Sequence, residues 1–323
     1  MAKSNLLGVD IGGSKVAAGL VSAEGAVIFK TRVPMVANGS AGEGFAAVRS
    51  AIDEVLKANP GTRDRLAGIG ICSPGPLDPR TGVVINPPNL PCWRNFALGD
   101  EVKRTFGVEA RVDNDANAAA LAEAIWGAGR GYQNIFYATI GTGIGTGIVF
   151  AERIYHGRTG SAAEGGHLSI DYRGPLCACG KRGCIEVLCS GPAIAQRART
   201  KLLEGGRPQT ILRQLTEGRL DQITAEDVGK AFRAGDPVAA EVLQETADLL
   251  AVWLGNVIDL LEPDVMVIGG GVGELISASF ARIQEQLPKW SINQRCSEIP
   301  LVSASYGVDA GIAGAAALCD LRS

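Results

Sequence analysis

The sequence predicts an α/β protein of two lobes with a cleft between them. A chain of 323 residues is long for one compact core, which favours two domains. An opening meander of strands around a glycine turn gives way to alternating strands and helices, and the same succession restarts near residue 134. Charged residues are 20% of the chain and apolar ones 46%, the balance of a well-buried globular protein.

The first meander is expected at residues 6–11, which run into Gly12-Gly13, then at 15–21 and, after the Glu24-Gly25 turn, at 26–33. Helical periodicity covers 44–56 and a buried strand 66–72. Residues 73–93 form a Pro/Gly-rich loop, stiffened at Pro74-Gly75-Pro76 and Asn86-Pro87-Pro88. A helix at 100–106, a strand at 109–112 and a helix at 114–126 complete the first succession. The second has strands at 134–140, 146–150 and 153–154, then a Cys-rich insertion. Thr224 with Asp227 three residues on opens a helix as a capping box, and Asp236-Pro237 opens a long one that reaches about residue 261. A strand at 264–268 meets Gly269-Gly270-Gly271. The last helix, 309–321, is rich in Ala and Gly, which permits close packing.

A net charge of -3 and the lack of a basic arm argue against a nucleic-acid partner. The apolar run at the N-terminus is broken at once by Asp10, unlike a signal peptide. The most apolar later segment, 249–258, is too short to span a bilayer, so no membrane partner is expected and the protein is read as cytoplasmic. In that compartment the eight cysteines should be thiols or metal ligands. Cys72, Cys92, Cys296 and Cys319 are read as small buried apolar residues.

Three glycine loops and one His/Cys cluster carry the chemistry. Asp10-Ile11-Gly12-Gly13-Ser14-Lys15 is either a tight hairpin or a site where backbone N–H groups meet phosphate while the carboxylate holds hydrated Mg²⁺. In residues 141–147 every other position is glycine, which strips one face and lets something approach the backbone. Gly269-Gly270-Gly271 lies where a strand meets a helix, another place for an anion or nucleotide. None matches the P-loop or the dinucleotide fingerprint, and together they suggest a nucleotide cradle. From Glu164 to Glu186 the chain reads EGGHLSIDYRGPLCACGKRGCIE. One imidazole and three thiolates, His167, Cys177, Cys179 and Cys184, make a closed tetrahedral set suited to a structural Zn²⁺. Cys189 is left as a free thiol. Asp115, at a strand–helix junction, could cap the helix or accept a proton, and the two roles are compatible.

Leu7-Gly8-Val9-Asp10-Ile11-Gly12-Gly13, Asp113-Asn114-Asp115-Ala116-Asn117, Ile140-Gly141-Thr142-Gly143-Ile144-Gly145 and the His/Cys cluster together resemble the ROK family of sugar kinases and sugar-responsive repressors. The resemblance covers essentially the whole chain. It implies a two-lobed actin-like ATPase (ribonuclease H-like) fold: duplicated βββαβα lobes, an interlobe cleft where ATP and a hexose meet, and a zinc-binding insertion. Residues 1–117 with 305–323 would form the small lobe, and 118–304 the large lobe with its zinc motif at 164–186. It implies Asp115 as the general base for phosphorylation of a 6-hydroxyl, with Asn89, Asn114, Glu164, His167 and Glu186 on the sugar. ATP would lie on Asp10, Gly12, Gly13, Lys15, Thr142, Gly143, Gly270 and Gly271, with Asp10 positioning Mg²⁺. Zinc bound to one nitrogen of His167 would aim the other at a sugar hydroxyl.

Glucose is the expected substrate. Kinases for N-acetylglucosamine, N-acetylmannosamine, mannose, allose or fructose are alternatives, although fructokinases resembling this chain usually carry a second His in the zinc set. A ROK transcriptional regulator is a further alternative, but those carry a helix-turn-helix segment before a glycine-loop strand that here begins at Leu6. The family also implies a homodimer or homotetramer.

Overall fold

The computed structural model describes residues 5–204 and 209–320. In chain order, β1 (Asn5–Ile11), β2 (Lys15–Val21), β3 (Val27–Pro34), α1 (Ala41–Ala58) and β4 (Leu66–Ser73) are followed by three short strands. These are β5 (Leu77–Asp78), β6 (Val83–Val84) and β7 (Phe96–Ala97), and α2 (Leu98–Phe106), β8 (Ala110–Asn114) and α3 (Asp115–Ile125) come next. The second succession has β9 (Asn134–Ile140), β10 (Ile144–Phe150), β11 (Arg153–Ile154), α4 (Ile185–Cys189), α5 (Gly191–Glu204), α6 (Ile211–Leu215) and α7 (Ala225–Arg233). It ends with α8 (Pro237–Leu261), β12 (Val265–Gly269), α9 (Gly271–Ile276), α10 (Phe280–Gln286), β13 (Leu301–Ser303) and α11 (Ala310–Ala317).

The two five-stranded sheets have the same order, β3-β2-β1-β4-β8 and β11-β10-β9-β12-β13. In the first, β1, β2 and β3 are antiparallel while β4 and β8 run parallel to β1. The duplication expected from the sequence therefore exists at the level of topology. Burial follows position. Apart from the ends, β1 and β2 are buried on both faces and read as continuous apolar runs, whereas β3 alternates half-buried and exposed as an edge strand does.

Packing groups the chain into two units, Met1–Tyr137 with Gly147–Ala163 and Ser305–Ser323, and Ala138–Thr146 with Glu164–Ala304. This grouping differs from the 117/118 boundary drawn from sequence because α3 is not free to leave the first unit. Its Ala118, Leu121, Ala122 and Ile125 share a core with Ala313, Ala315 and Ala317 of α11. A Cβ on Gly314 would stand 2.6 Å from Ala118, so the two helices approach at backbone distance. The same helix lies on the sheet: a Cβ on Gly8 or Gly70 would meet the carbonyl oxygens of Ile312 and Ala315 at 2.0 and 1.7 Å. The Ala/Gly composition of α11 is thus the condition of its seat. The helix ends at Ala317, short of the expected Leu321: Leu318 and Cys319 turn out of it, and Leu321 itself lies outside the described residues.

Within the first unit, Leu7, Val9, Ile69 and Ile71 pack against Val48 and Ile52 of α1, whose start is fixed by a Ser40–Glu43 capping box. In the second, the expected capping box at Thr224 and Asp227 opens α7, and Asp236 caps α8 with Pro237 at its first position. The 73–93 segment departs from the expectation of a plain loop. It contributes β5 and β6 to a three-stranded sheet with β7, whose two-residue strands are too short to leave a periodic signal. No helix among the described residues is long and apolar enough to cross a membrane.

Candidate active site

In the first unit the end of β1 carries Asp10, and the β1–β2 hairpin closes with Gly12 N–H donating to Lys15 O at 2.9 Å. Asp10 is register-paired with Cys72 of β4, whose thiol donates to Asp10 Oδ1 at 3.4 Å. Burial raises the Asp10 pKa, against the thiol hydrogen bond and the charges of Lys15 and Arg32 that lower it. Cys72 is therefore more than the apolar filler the sequence suggested. Its own pKa is pushed well up, by burial first and then by the carboxylates of Asp10, Asp115 and Asp113, which all bear on that point. Gly311 of α11 also lies against Asp10, where a Cβ would come within 2.4 Å of the carboxylate. Cys92, expected to be buried, is only partly so, whereas Cys296 and Cys319 are buried as expected.

Gly13 and Asn89 are brought together: a Cβ on Gly13 would sit 3.0 Å from Asn89 O. Asn89 is exposed while its neighbours anchor the loop. Leu90 and Trp93 are fully buried, Trp93 Nε1–H donates to Ala41 O at 3.3 Å, and its ring stacks on Phe96 at 5.0 Å. Lys15 is exposed at the start of β2.

At the β8–α3 junction the helix cap is Asn114, not Asp115. Asn114 Oδ1 accepts from the backbone N–H of Ala116 at 2.9 Å and of Asn117 at 3.4 Å. That leaves the Asn114 amide as a donor and moves Asp115 to the first helical position, exposed at the positive end of the helix dipole. Ala116 N–H also reaches Asp115 Oδ1 at 2.8 Å.

In the second unit the 141–143 loop is held by Gly141 N–H to Gly143 O at 2.9 Å and by Gly191 N–H to Gly141 O at 2.8 Å. The space opened by its glycines is already occupied. A Cβ on Gly143 would stand 2.6 Å from Glu186 Oε2, which accepts from Ile144 N–H at 2.9 Å. Gly147, where the chain has passed into the first unit, packs on Ala116 and Ala120 of α3 within that unit. The alternating glycines thus admit a carboxylate and a helix.

Glu164, exposed, precedes a tight turn at Gly165–His167. Gly165 N–H donates to Thr146 Oγ1 at 2.8 Å and Gly165 O accepts from Trp253 Nε1–H at 3.1 Å, while a Cβ on Gly166 would meet Ile144 O at 1.9 Å. His167 is thereby fixed with Nδ1 3.7 Å from Cys177 Sγ and 3.9 Å from Glu186 Oε1. The candidate ligand atoms of His167, Cys177, Cys179 and Cys184 all lie within 4.8 Å of one another. Two thiolates bound to one tetrahedral zinc at ~2.3 Å stand about 3.8 Å apart, and the Cys179 and Cys184 sulfurs are 3.7 Å apart. A disulfide would need about 2.05 Å, so the cluster fits a metal. The thiols are unequal: the Lys181 amide lowers the pKa of Cys179, whereas burial pushes Cys184 up to about 12. Cys189 stays apart, buried with its thiol donating to Thr246 O at 3.8 Å.

Gly270 has φ +82 and abuts Ile140 O, a position only glycine fills without strain. Gly271 and Thr142 line a cavity of about 1010 Å³, which Gly143 and Gly270 do not. Its other walls include Arg199 of α5, Thr224, Phe232 of α7 and Leu275 of α9. Motif reading assigned none of the four to a site, because they come from three helices with no shared spacing and Thr224 read only as a helix cap. The Arg199 Nε–H is buried without a partner.

The sequence profile of the ROK family matches residues 6–321. A glucokinase of Thermotoga maritima is 35% identical over 100% of this chain and 99% of its own length. A xylose repressor of Caldicellulosiruptor bescii is 28% identical over 87% of this chain and 70% of that protein. A crystal structure of a ROK family glucokinase from Streptomyces griseus in complex with glucose and AMPPNP superposes with a TM-score of 0.81 at 33% identity, covering 97% of this chain and 98% of that one. The fold is the actin-like ATPase, ribonuclease H-like, class.

Proposed function

The chain belongs to the ROK family, and from that premise we propose that it is an ATP-dependent hexokinase phosphorylating the 6-hydroxyl of an aldohexose, glucose first. The observation that carries the reading is the β8–α3 junction. Asn114 takes over the helix cap and leaves the Asp115 carboxylate exposed at the helix N-terminus, where the helix dipole favours negative charge and the carboxylate can accept the attacking hydroxyl's proton. Phosphoryl transfer otherwise depends mainly on positioning and charge stabilisation.

In this reading the sugar ligands are Asn89, the Asn114 amide, Glu164, His167 and Glu186. Glu186 is tied to the glycine loop and His167 to the cysteines, so both are preorganised. Zinc on His167, Cys177, Cys179 and Cys184 would be structural, since four protein ligands leave no open position. With Nδ1 on the cysteine side, Nε2–H is the group left to meet a hydroxyl. ATP would place its nucleoside in the cavity lined by Thr142 and Gly271 and its phosphates along the backbones at Gly12, Gly13 and Gly143, near Lys15. Gly270 would shape the cavity edge. Mg²⁺ near Asp10 would neutralise charge on the phosphates.

Kinase names among full-length relatives, including the glucokinase of Thermotoga maritima, support this reading over a regulator. The carboxylates of Asp10 at the end of β1 and Asp115 at the start of α3 support it too. Asp115→Asn should lower kcat by about 10²–10⁴-fold, the usual worth of a positioned base, while sugar affinity by calorimetry stays unchanged. Retained turnover would remove Asp115 from its role.

A further inference from the structure

The chain's other histidine lies outside everything so far described. His156 follows β11 and faces Asp113, the last but one residue of β8. Asp113 is buried, and a carboxylate accepts only, so His156 Nε2–H donates to its Oδ2, at 2.6 Å. Asp113 Oδ1 accepts from the Asn114 backbone N–H at 2.7 Å and from Asn117 Nδ2 at 3.1 Å. One carboxylate thus ties together the histidine, the backbone of Asn114 and the first turn of α3. The histidine itself is held by its surroundings: Tyr155 N–H donates to Ile148 O at 2.8 Å and Ala162 N–H to His156 O at 3.2 Å.

We propose that His156 is a positioning residue for phosphoryl transfer, holding Asp113 and through it the turn that presents Asn114 and Asp115. This rests on the kinase reading above. The dyad forms part of the wall of a cavity of about 560 Å³ in the first unit. The other charges there are Arg80 beyond β5, Asp100 and Lys103 of α2, Glu109 and Arg111 at β8, and Glu152 and Arg153 at the β10–β11 turn. They are of both signs, with Arg80 the one that opposes protonation of His156. The hydrogen bond it donates to Asp113 raises the histidine's pKa. While His156 is charged, it offsets one of the three carboxylates that bear on Cys72. Once it is neutral the hydrogen bond persists but that compensation is gone, beside the place where a polyphosphate must bind.

The test is kcat and KM for hexose and ATP from about pH 5.5 to about 9, the range in which histidine titrates, for the full chain, His156→Gln and His156→Leu. His156→Leu should lose about tenfold or more in kcat with sugar KM nearly unchanged, as misplacement of a reacting group does. His156→Gln, whose amide can still donate to Asp113, should recover much of that loss but lack the wild type's decline at alkaline pH. Wild-type kcat and pH profile in His156→Leu would overturn the inference, as would a change in KM alone or a glutamine variant no better than leucine at equal Tm. If the wild type shows no hexose-dependent turnover, the kinase reading fails and the inference falls with it.

Discussion

The two histidines sit in one stretch of chain, each beside a carboxylate, yet they serve opposite physical ends. His156 is a partly exposed ring against the buried Asp113, with its partner 43 positions away in sequence. His167 faces Glu186 at 3.9 Å, but its nearer neighbour is a thiol, and its position is set by glycines that could not be anything else. In the first case the charge of the ring matters and the ring is free to titrate. In the second, a bound metal would take the Nδ1 lone pair and leave the ring neutral, a hydrogen-bond donor of fixed direction. On the proposed function, one region would adjust the reacting carboxylate while the other would hold a rigid wall for the acceptor.

The harshest way to break this contrast is to remove the metal. Cys184→Ser, at a fully buried ligand, or Cys179→Ser, at an exposed one, should abolish zinc in metal analysis and raise sugar KM by about tenfold or more. Tenfold corresponds to about 1.4 kcal/mol, the upper end of what one neutral hydrogen bond contributes. Zinc lost with sugar affinity intact would show that the metal does not aim His167.

A smaller disturbance acts on the partner of His167. Gly143→Ala would set a Cβ 2.6 Å from Glu186 Oε2, so the carboxylate would swing away and give up its hydrogen bond from Ile144 N–H, a loss of about 1 kcal/mol. It should raise sugar KM, whereas Gly271→Ala, with nothing within 4 Å of the new atom, should leave sugar KM and Tm alone. Equal effects of the two would mean that the glycine loop meets its ligand directly and Glu186 is incidental.

The mildest effect belongs to His156 and is a pH dependence. Its folded-state pKa is raised above the ordinary value of 6.5, so the stability it contributes is complete below about pH 6.5 and is lost as pH rises through the raised value. The Tm difference between wild type and His156→Gln should therefore be largest near pH 6 and shrink by pH 9, on the order of 2 °C for a partly exposed ring. A gap that widens with pH would contradict the pairing.

Legibility followed contiguity. The β1–β2 hairpin, the capping box at Thr224, the Asp236-Pro237 start and the spacing of the cysteines are local patterns, and the structure contains each of them. The partners that define the site are not local. Nothing in the order of residues pairs His156 with Asp113, or Cys72 with Asp10, because β-sheet register makes those contacts. The alternating glycines were legible as room for an approaching group, but which group fills it depends on where Glu186 and α3 pack. Cavity walls such as Arg199 and Phe232 come from helices whose own sequence patterns report only their buried faces.

The most direct test is coupled ADP release from ATP with the full chain across glucose, mannose, allose, fructose, N-acetylglucosamine and N-acetylmannosamine. Turnover should require the sugar and be fastest with glucose. No sugar-dependent ADP release with any of them would contradict it.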